Sequence, residues 1–405
     1  MVYDKKMFSK RIYADYASTT PASKEVIYAM HGASKLGNPS AIYEEGVEAM
    51  TVLETARALC ARAVESRLEE IYFTSGGTES NNLAIAGVIE ARRAEGVSYE
   101  KIHIVTTPIE HSSVLECVRE YEKRGVRVSF ADVNKEGIVS VDSIKKNINA
   151  DTVLVSVMYA NNEIGTIQPI HEIGEMIREM KKEKGSYPFF HTDACQAPLF
   201  LSLHRENLRA DIMSLDGHKI YGPRGVGILF VKSGVKITPI LFGGGQEKGL
   251  RSTTENISGI AGMAAALSAA AAGRERYSLR MKLLRELFIL EVEKRFPEAL
   301  LNGSREKRLP NNANFSFPWI TDAEFAVLYL DAKGIACSTK SSCLKGEERS
   351  YIVSALEPGN KWRSKSTLRF TFGVKNTRRD IIKIVETLEK MKETLLKSSA
   401  LAKNE

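Results

Sequence analysis

The chain has few cysteines, and their spacing marks neither a metal site nor a disulfide framework. Its 405 residues include five cysteines, at Cys60, Cys117, Cys195, Cys337 and Cys343, and none of them show the paired spacing of such sites. We therefore expect reduced thiols and no metal site. The opening stretch "MVYDKKMFSKRIYADY" lacks the apolar region of a secretion signal, which predicts a cytoplasmic protein.

Long hydrophobic runs and a strong charge of one sign are also missing. The most apolar stretch, "GIAGMAAALSAAAAG" at residues 259–273, is short and alanine-rich, which favours a packed helix over a membrane span. The net charge of +7 is modest and no basic tract is interleaved with aromatics, so we expect no nucleic-acid partner. The composition is typical of a soluble globular protein, and the length predicts more than one domain.

Strand-like and helix-like segments alternate along most of the chain. Runs of β-branched and aromatic residues, bounded by turn residues, occupy positions 101–107, 151–159, 187–193, 210–216 and 226–232. Between them, "PIHEIGEMIREMKKEKG" places Ile170, Ile173, Ile177 and Met180 on one helical face, and Gly185 suits the helix end. This alternation predicts an α/β protein with a mainly parallel sheet covered by helices on both faces.

The pattern changes near residue 275. A long amphipathic helix is predicted over 278–296, and short strand candidates follow in "NANFSF" and "STLRFTFG". We expect residues 21–274 to form a large domain and residues 275–405 a smaller α+β domain. Residues 1–20 are expected to contribute to the small domain.

One glycine-containing turn has the form of an anion site. "IYFTSGGTESNNLAIAG" at 71–87 predicts a strand, a turn and then a helix. Gly76 and Gly77 allow close backbone approach and Thr78 supplies a hydroxyl at the helix start, as a bound phosphate would need. An ordinary turn with Thr78 as helix cap fits the same residues. The stretch is neither a P-loop nor a GxGxxG fingerprint, so it gives no support to a nucleotide.

Two further strand ends carry an acid and an amine. Asp193 follows one buried run and could equally cap the next helix, and Lys219 follows another and could equally be a surface lysine. Ligands bind at the carboxyl ends of strands in open parallel sheets. A phosphate cradle, an acid and a lysine are together the parts that a pyridoxal phosphate enzyme needs. The lysine forms a Schiff base, and the acid keeps the pyridine nitrogen protonated.

A family resemblance extends over nearly the whole chain. The stretches that carry it are "YADYASTTP", "GNPSAIYEEG", "FTSGGTESNNLAIAG", "EHSSVLECV", "ANNEIGTIQPI", "HTDACQA", "GHKIYGPRGVGILFV", "GGGQEKGLRSTTEN" and "STLRFTFG". With these motifs the chain resembles the cysteine desulfurases of the housekeeping NifS/IscS-like type, within the class V aminotransferase family. The resemblance implies the PLP-dependent transferase fold type I, in which the large domain binds the cofactor and the small domain carries the catalytic cysteine loop.

The resemblance also implies roles for the residues around the cofactor ring. Lys219 would hold pyridoxal 5'-phosphate covalently and move protons at the substrate α-carbon, and Asp193 would pair with the pyridinium nitrogen. His111 would stack on the ring and help to move protons. Asn162 and Gln196 would hydrogen-bond the phenolic oxygen of the ring or hold its neighbours, and Asn162 would also contact the substrate.

Other residues are implied to bind the phosphate and the substrate. Gly77, Thr78 and His218 would bind the phosphate of their own subunit, whereas Thr254 would reach the phosphate in a partner subunit, which implies a homodimer. Arg369 would clamp the carboxylate of the substrate L-cysteine with the two-pronged geometry of a guanidinium.

The residue that distinguishes a desulfurase is Cys343, in "CSTKSSCLKGEERSYIV". A free cysteine is usually buried filler, as we expect for Cys60, Cys117 and Cys195, but the neighbours of Cys343 are small and polar. The resemblance implies that its thiolate takes the substrate sulfur as a persulfide and leaves L-alanine. The sulfur would then pass to acceptor proteins, such as an iron–sulfur scaffold, or into tRNA thiolation. Positive charge from the flanking lysines, Lys340 and Lys345, would favour the thiolate.

Two positions depart from the family pattern. The small residue, most often serine, that precedes "GHK" and gives a hydroxyl to the phosphate is Asp216 here, and a carboxylate beside a phosphate costs about 1 kcal/mol or more. Either Asp216 turns away to cap a backbone N–H, or a basic residue offsets it, or cofactor affinity falls; we favour the first. The second departure is Lys340, which replaces a glycine in the cysteine loop.

Two other classes of function remain open at this stage. The same fold supports selenocysteine lyases and aminotransferases, although plain transamination needs no thiol and so gives no reason for Cys343. The departure at Asp216 leaves a catalytically weakened sulfur-relay or scaffold protein as the other alternative.

Overall fold

The computed structural model of the protein describes residues 11–185, 187–339 and 349–401. Cys343, the predicted nucleophile, and its neighbours Lys340 and Lys345 lie outside the described residues.

The central element is a seven-stranded sheet. Elements are numbered here in chain order, and the strands of this sheet are β2 (Ile71–Thr74), β3 (His103–Thr106), β4 (Arg127–Phe130), β5 (Thr152–Ser156), β6 (Phe189–Asp193), β7 (Ile212–Asp216) and β8 (Gly227–Val231). Their spatial order is β2-β8-β7-β6-β5-β3-β4. The strands from β7 to β4 are parallel to one another, and β8 runs antiparallel to both β7 and β2. The predicted α/β fold with a mainly parallel sheet is therefore confirmed.

The antiparallel strand β8 has a consequence for the edge of the sheet. Because the direction reverses twice between β7 and β2, the carboxyl end of β2 lies at the same edge as the carboxyl ends of the parallel strands. Strands β5, β6, β7 and β8 are buried along their whole length, as expected where helices cover both faces of the sheet.

Twelve α-helices surround the strands in the described part of the chain. They are α1 (Lys24–Ala33), α2 (Glu44–Val64), α3 (Gly77–Ala94), α4 (Ser112–Lys123), α5 (Val141–Asn147), α6 (Ile170–Lys184), α7 (Arg205–Leu208), α8 (Ile257–Arg295), α9 (Ala323–Ala332), α10 (Tyr351–Leu356), α11 (Lys361–Lys365) and α12 (Arg378–Leu401). Helix α6 confirms the predicted amphipathic helix: Ile170, Ile173 and Ile177 are buried, and Gly185 follows the last helical residue. Asn256 caps the start of α8, where its side-chain oxygen accepts a hydrogen bond from Gly259 N.

The remaining strands belong to a second unit. Strands β9 (Leu300–Leu301), β10 (Asn312–Ser316) and β12 (Thr367–Thr371) form an antiparallel sheet, and β1 (Ile12–Tyr13) pairs in parallel with β11 (Ile335–Ala336). Residue Ile12 packs in the same apolar core as Phe315 and Phe370. The N-terminal segment thus contacts the C-terminal part of the chain, and the exact domain bounds stay a prediction.

Helix α8 joins the two units. The alanine-rich stretch and the amphipathic helix predicted after it form one continuous helix of 39 residues. Its first half, including Met263 and Leu267, packs in the core beside the large sheet, whereas Phe288 and Val292 pack in the core of the second unit. By length and composition this helix could cross a membrane, but 56% of its most apolar window is buried inside the protein. That burial supports the predicted packed helix.

Candidate active site

A cleft lies at the carboxyl edge of the large sheet. Residues at or after the carboxyl ends of β2, β3, β5, β6 and β7 line it, namely Gly77, His111, Asn162, Asp193 and Lys219. This is the edge at which ligands bind in open parallel sheets. The predicted site residues that line the cleft are Gly77, Thr78, His111, Asn162, Asp193, Gln196, His218, Lys219 and Arg369.

The amine of Lys219 is directed at the N-terminal segment. Strand β7 ends at Asp216, and a 3-10 turn, Gly217–Lys219, follows it. From this turn, Lys219 Nζ donates to the carbonyl oxygens of Ala17 at 2.8 Å and Ser18 at 2.7 Å. Gln196 Nε2 donates to the same Ala17 oxygen at 3.0 Å. The "YASTT" turn therefore holds the predicted reactive amine at the cleft.

The acid predicted to face a pyridine nitrogen is fixed on both of its oxygens. Asp193 Oδ2 accepts from Asn81 Nδ2 at 2.7 Å, and Asp193 Oδ1 accepts from Cys195 N at 3.0 Å. Asp193 is only 7% exposed. Asn81 also donates to Ser113 Oγ at 2.9 Å, so this asparagine of α3 contacts both the acid and α4.

His111 begins helix α4 from the end of β3. Its Nδ1 accepts from Ser113 N at 3.1 Å and lies 2.8 Å from Ser113 Oγ. Because Nδ1 accepts from a backbone N–H, a neutral His111 carries its proton on Nε2. This arrangement leaves a defined tautomer at the cleft, where a ring-stacking and proton-transfer role is predicted.

Arg369 lies on the small sheet yet reaches the cleft. Its side chain is 1% exposed, its Nη1 donates to the Asn162 carbonyl oxygen at 2.8 Å, and its Nη2 pairs with Asp15 Oδ1 at 2.7 Å. The second oxygen of Asp15 accepts from Ser18 Oγ at 2.6 Å. Among the described residues, Arg369 Nε and Asn162 Oδ1 have no hydrogen-bond partner although both atoms are buried. A guanidinium held from one side with such an unmet donor suits the predicted binding of a substrate carboxylate.

Asp216 caps backbone N–H groups at the turn that was predicted to hold phosphate. Its Oδ2 accepts from Gly77 N at 2.7 Å, its Oδ1 accepts from His218 N at 3.1 Å, and His218 Nε2 lies 3.4 Å from Oδ1. Burial opposes ionisation of this carboxyl, but the hydrogen bonds from His218 and Gly77 outweigh it and lower its pKa. The favoured alternative, a carboxylate that caps backbone N–H, is thus present. The carboxylate does not, however, turn away from the cradle.

Two other residues predicted to bind phosphate, Thr78 and Thr254, are exposed at the surface. Thr78 is exposed, and Glu79 in the next position pairs with Arg251 at 2.7 Å. Thr254, three residues after Arg251, is exposed and is not among the described residues that line the cleft of its own chain.

The described residues that flank the cysteine loop are attached to the cleft. Ser338 and Arg369 exchange two backbone hydrogen bonds, at 3.2 and 2.6 Å. On the other side of the loop, Ser350 donates to the Glu163 carboxylate and Tyr351 donates to the Glu110 carbonyl oxygen at 2.6 Å. Glu163 follows Asn162 in the chain, and Glu110 precedes His111. The described residues on either side of the segment bearing Cys343 are therefore hydrogen-bonded to a predicted site residue or to its neighbour in the chain.

The other cysteines are buried. Cys60, Cys117, Cys195 and Cys337 all lie inside the protein, which confirms the expectation of filler for the first two. Cys195 does more, because it lines the cleft and a Cβ on Gly77 would lie 2.7 Å from its sulfur. Burial raises the pKa of the Cys195 thiol well above its ordinary value, so this sulfur is not a reactive thiolate.

Some residues that line the cleft or contact its lining were assigned no role in the sequence analysis. Asp15, Ser18 and Asn81 all fall in motifs that carried the family resemblance, yet motif membership did not show that Asp15 binds Arg369 or that Asn81 binds Asp193. The available signal was the presence of these polar residues within "YADYASTTP" and "TESNN".

Comparisons with known proteins show the family to which the chain belongs. The family model of class-V aminotransferases matches residues 12–384. A protein of Dictyoglomus turgidum described as cysteine desulfurase IscS is 41% identical over 95% of this chain and 95% of its own length. A solved structure described as a NifS-like protein is 32% identical with a TM-score of 0.85, covering 94% of this chain and 99% of that one.

A further solved structure, described as SspA in complex with cysteine, is 30% identical with a TM-score of 0.74 and covers 89% of this chain and 98% of that one. This chain belongs to the class-V aminotransferase family. Within that family its relatives are cysteine desulfurases of the NifS/IscS type, which confirms the resemblance seen in the motifs.

The residues of the cleft fit the ring of pyridoxal phosphate. An amine, an acid fixed by hydrogen bonds and a histidine of defined tautomer surround it, and Asn162 Oδ1 and Asn81 Oδ1 are buried without a hydrogen-bond partner among the described residues. Gly77 and His218 lie where they could bind the phosphate of the cofactor. Their backbone N–H groups, however, already donate to the carboxylate of Asp216.

Proposed function

We propose that this protein is a pyridoxal 5'-phosphate-dependent cysteine desulfurase that converts L-cysteine to L-alanine and takes the sulfur as a persulfide on Cys343. The observation that supports this most directly is the convergence of Lys219, Asp193, His111 and Arg369 on one cleft. The descriptions of similar proteins, cysteine desulfurase IscS and SspA in complex with cysteine, support L-cysteine as the substrate.

Each residue has a task that its contacts support. Lys219 would hold the cofactor aldehyde through its amine, and Asp193 would keep the pyridine nitrogen protonated. Arg369, braced by Asp15, binds the substrate carboxylate, and its buried Nε offers a donor. His111 presents Nε2 for stacking and proton movement, while Gln196 and Asn162 orient the ring.

The bound cofactor would supply an electron sink for charge that develops on the substrate carbons. The Cys343 thiolate forms an S–S bond with the substrate sulfur as the C–S bond breaks, and the bonding electron pair leaves with the substrate carbon. Lys219 delivers protons to the substrate carbons, which gives L-alanine. An acceptor thiolate then attacks the outer sulfur of the persulfide, so that a new S–S bond forms on the acceptor, the S–S bond to Cys343 breaks, and the Cys343 thiolate is restored.

The activity test measures alanine and sulfide from L-cysteine in the presence of a thiol reductant. Lys219→Ala is expected to lose both the visible absorbance of the bound cofactor and all activity. Cys343→Ala is expected to keep the absorbance and lose sulfide release, whereas Cys117→Ala, at a buried cysteine that is not among the described residues lining the cleft, keeps both. Sulfide release by Cys343→Ala at the wild-type rate would rule out the persulfide mechanism.

We also propose a homodimer, supported by Thr254, which is exposed and lies outside the cleft of its own chain among the described lining residues. Large apolar side chains at the surface, Tyr28, Ile42 and Phe242, would be covered by a second copy. Size-exclusion chromatography with light scattering tests the homodimer by measuring the mass of the protein in solution. A cytoplasmic location and delivery of sulfur to an iron–sulfur scaffold protein complete the proposal, and pull-down of sulfur label by a candidate scaffold tests the delivery.

A further inference from the structure

The cradle, which is the turn predicted to bind phosphate with Gly77 and His218, already contains the carboxylate of Asp216. Helix α3 begins at Gly77, and the first N–H of a helix is a site of partial positive charge that attracts anions. Asp216 Oδ2 accepts from this N–H at 2.7 Å and Oδ1 accepts from His218 N at 3.1 Å. Asp216 is 8% exposed, so the carboxylate is buried in this position.

The glycines of the turn are shaped around that carboxylate. A Cβ on either Gly76 or Gly77 would lie 3.2 Å from Asp216 Oδ2, closer than side-chain carbons normally approach. The contact joins residues 139 positions apart, at the ends of β2 and β7. Two carboxylate oxygens on two backbone N–H groups reproduce the contacts that a phosphate makes at a helix start.

We propose, on the basis of the proposed function, that Asp216 determines cofactor specificity by occupying this cradle, so that the site binds pyridoxal phosphate and unphosphorylated pyridoxal with similar affinity. A phosphate must compete with the carboxylate for the N–H of Gly77 and is repelled by its charge. The hydroxymethyl group of pyridoxal is neutral and can donate its O–H to the carboxylate. A phosphate dianion has no proton to donate there.

The nearby basic groups do not remove this competition. His218 shares its imidazole between Asp216 at 3.4 Å and Thr19 Oγ1 at 3.1 Å. Arg251 is paired with Glu79, the other carboxylate of the turn. Arg224 lines the outer side of the cradle together with Asp216 and His218, and it adds attraction for any anion there. The competition for the Gly77 N–H remains whichever anion approaches.

The test measures equilibrium binding of both vitamers to the full-length protein after its cofactor has been removed. Dissociation constants come from the absorbance of the Schiff base with pyridoxal phosphate and with pyridoxal. We expect the two constants of the wild type to agree within about tenfold. Asp216→Ser and Asp216→Asn are each expected to shift the ratio by at least about tenfold in favour of the phosphate, mainly through tighter binding of pyridoxal phosphate.

The control is Asp322→Asn, which changes a carboxylate that caps backbone N–H groups of α9 at 2.8 and 3.1 Å, away from the cleft. It should leave the ratio unchanged. A wild-type preference for the phosphate above about tenfold, or a ratio that neither Asp216 variant changes, would overturn the proposal, because it would mean that the carboxylate moves aside at no cost.

Inorganic phosphate gives an arm that does not depend on the cofactor. It should raise the Tm of Asp216→Ser and of Asp216→Asn but not that of the wild type, and equal stabilisation of all three proteins would also overturn the proposal. If neither vitamer forms a Schiff base with any of the proteins, the proposed function fails, and the phosphate arm still decides the role of Asp216.

Discussion

A buried ion pair joins helix α2 to the segment that leads to Thr254, and its removal gives a sharp test of what stabilises the fold. Arg57, on α2, donates from Nη1 and Nη2 to the two carboxylate oxygens of Glu247 at 2.9 Å each. The two side chains are 4% and 3% exposed. Burial opposes the charge on Arg57, but the carboxylate of Glu247 outweighs it and raises the pKa of the guanidinium.

The size of the effect follows from what each substitution leaves behind. Arg57→Met leaves the Glu247 carboxylate without its charged partner; among the described residues it then keeps the hydrogen bond from Phe73 N at 2.9 Å. The substitution also removes a donor to the Ile71 carbonyl oxygen at 2.8 Å. Removing one partner of a buried pair costs about 3–5 kcal/mol. The double variant Arg57→Met/Glu247→Gln has no buried charge and still accepts from Phe73, so its cost should be about 1–2 kcal/mol.

The assay is urea unfolding of the wild type, both single variants and the double variant, which together give the coupling free energy. A matched control is Arg119→Met, which breaks an exposed pair with Glu116 at 2.6 Å, where the side chains are 56% and 66% exposed. Exposed pairs contribute about 0–1 kcal/mol, so this control should be nearly neutral.

The reasoning is refuted if the double variant is at least as unstable as Arg57→Met. That result would mean that the packing of the arginine stem, and not the charge left without a partner, carries the stability. A cost for Arg57→Met no larger than that of Arg119→Met would refute it as well.

Three further predictions concern charge in and around the cleft. Arg369→Lys should raise KM for L-cysteine about 10- to 100-fold in steady-state assays, because lysine lacks the two-pronged geometry; an unchanged KM would exclude carboxylate binding there. Burial lowers the pKa of His191 to about 4 from 6.5, so stability should fall by up to about 3 kcal/mol as pH drops through that window, and less so in His191→Gln. Burial raises the pKa of Glu110 to about 8 from 4.5, so stability should instead fall as pH rises between these values, and Glu110→Gln should flatten that slope in unfolding measurements.

The parts of the site that could be predicted share one physical origin. Strand runs such as those ending at Asp193 and Asp216 are recognisable from their residues, and the carboxyl ends of parallel strands must meet at one edge. Residues placed just after those ends, including Lys219, therefore had to come together. The same reasoning holds for Gly77 only because β8 reverses direction between β2 and β7, which no local pattern revealed.

The parts that could not be predicted depend on contacts across long sequence separations. Asp15 and Arg369 are 354 residues apart, and their pairing requires that the N-terminal segment lies against the second unit. Likewise, no local signal showed that the alanine-rich stretch and the amphipathic helix after it are one helix, because an amphipathic face changes partner where α8 passes from one core to the other.

Asp216 shows how residue type and position contribute separately to a site. Its acidic character could be recognised as a departure, and a cap on a backbone N–H was the expected outcome. The N–H that Asp216 caps belongs to Gly77, and it is the donor that an anion at the start of α3 would use. The cap therefore occupies a donor of the predicted phosphate site. A carboxylate turned outward would leave the cradle as an ordinary phosphate site, whereas one bound at 2.7 Å makes the cradle a site that is already charged and satisfied. Whether a phosphate must compete with the Asp216 carboxylate therefore depends on the hydrogen bond between Asp216 Oδ2 and Gly77 N.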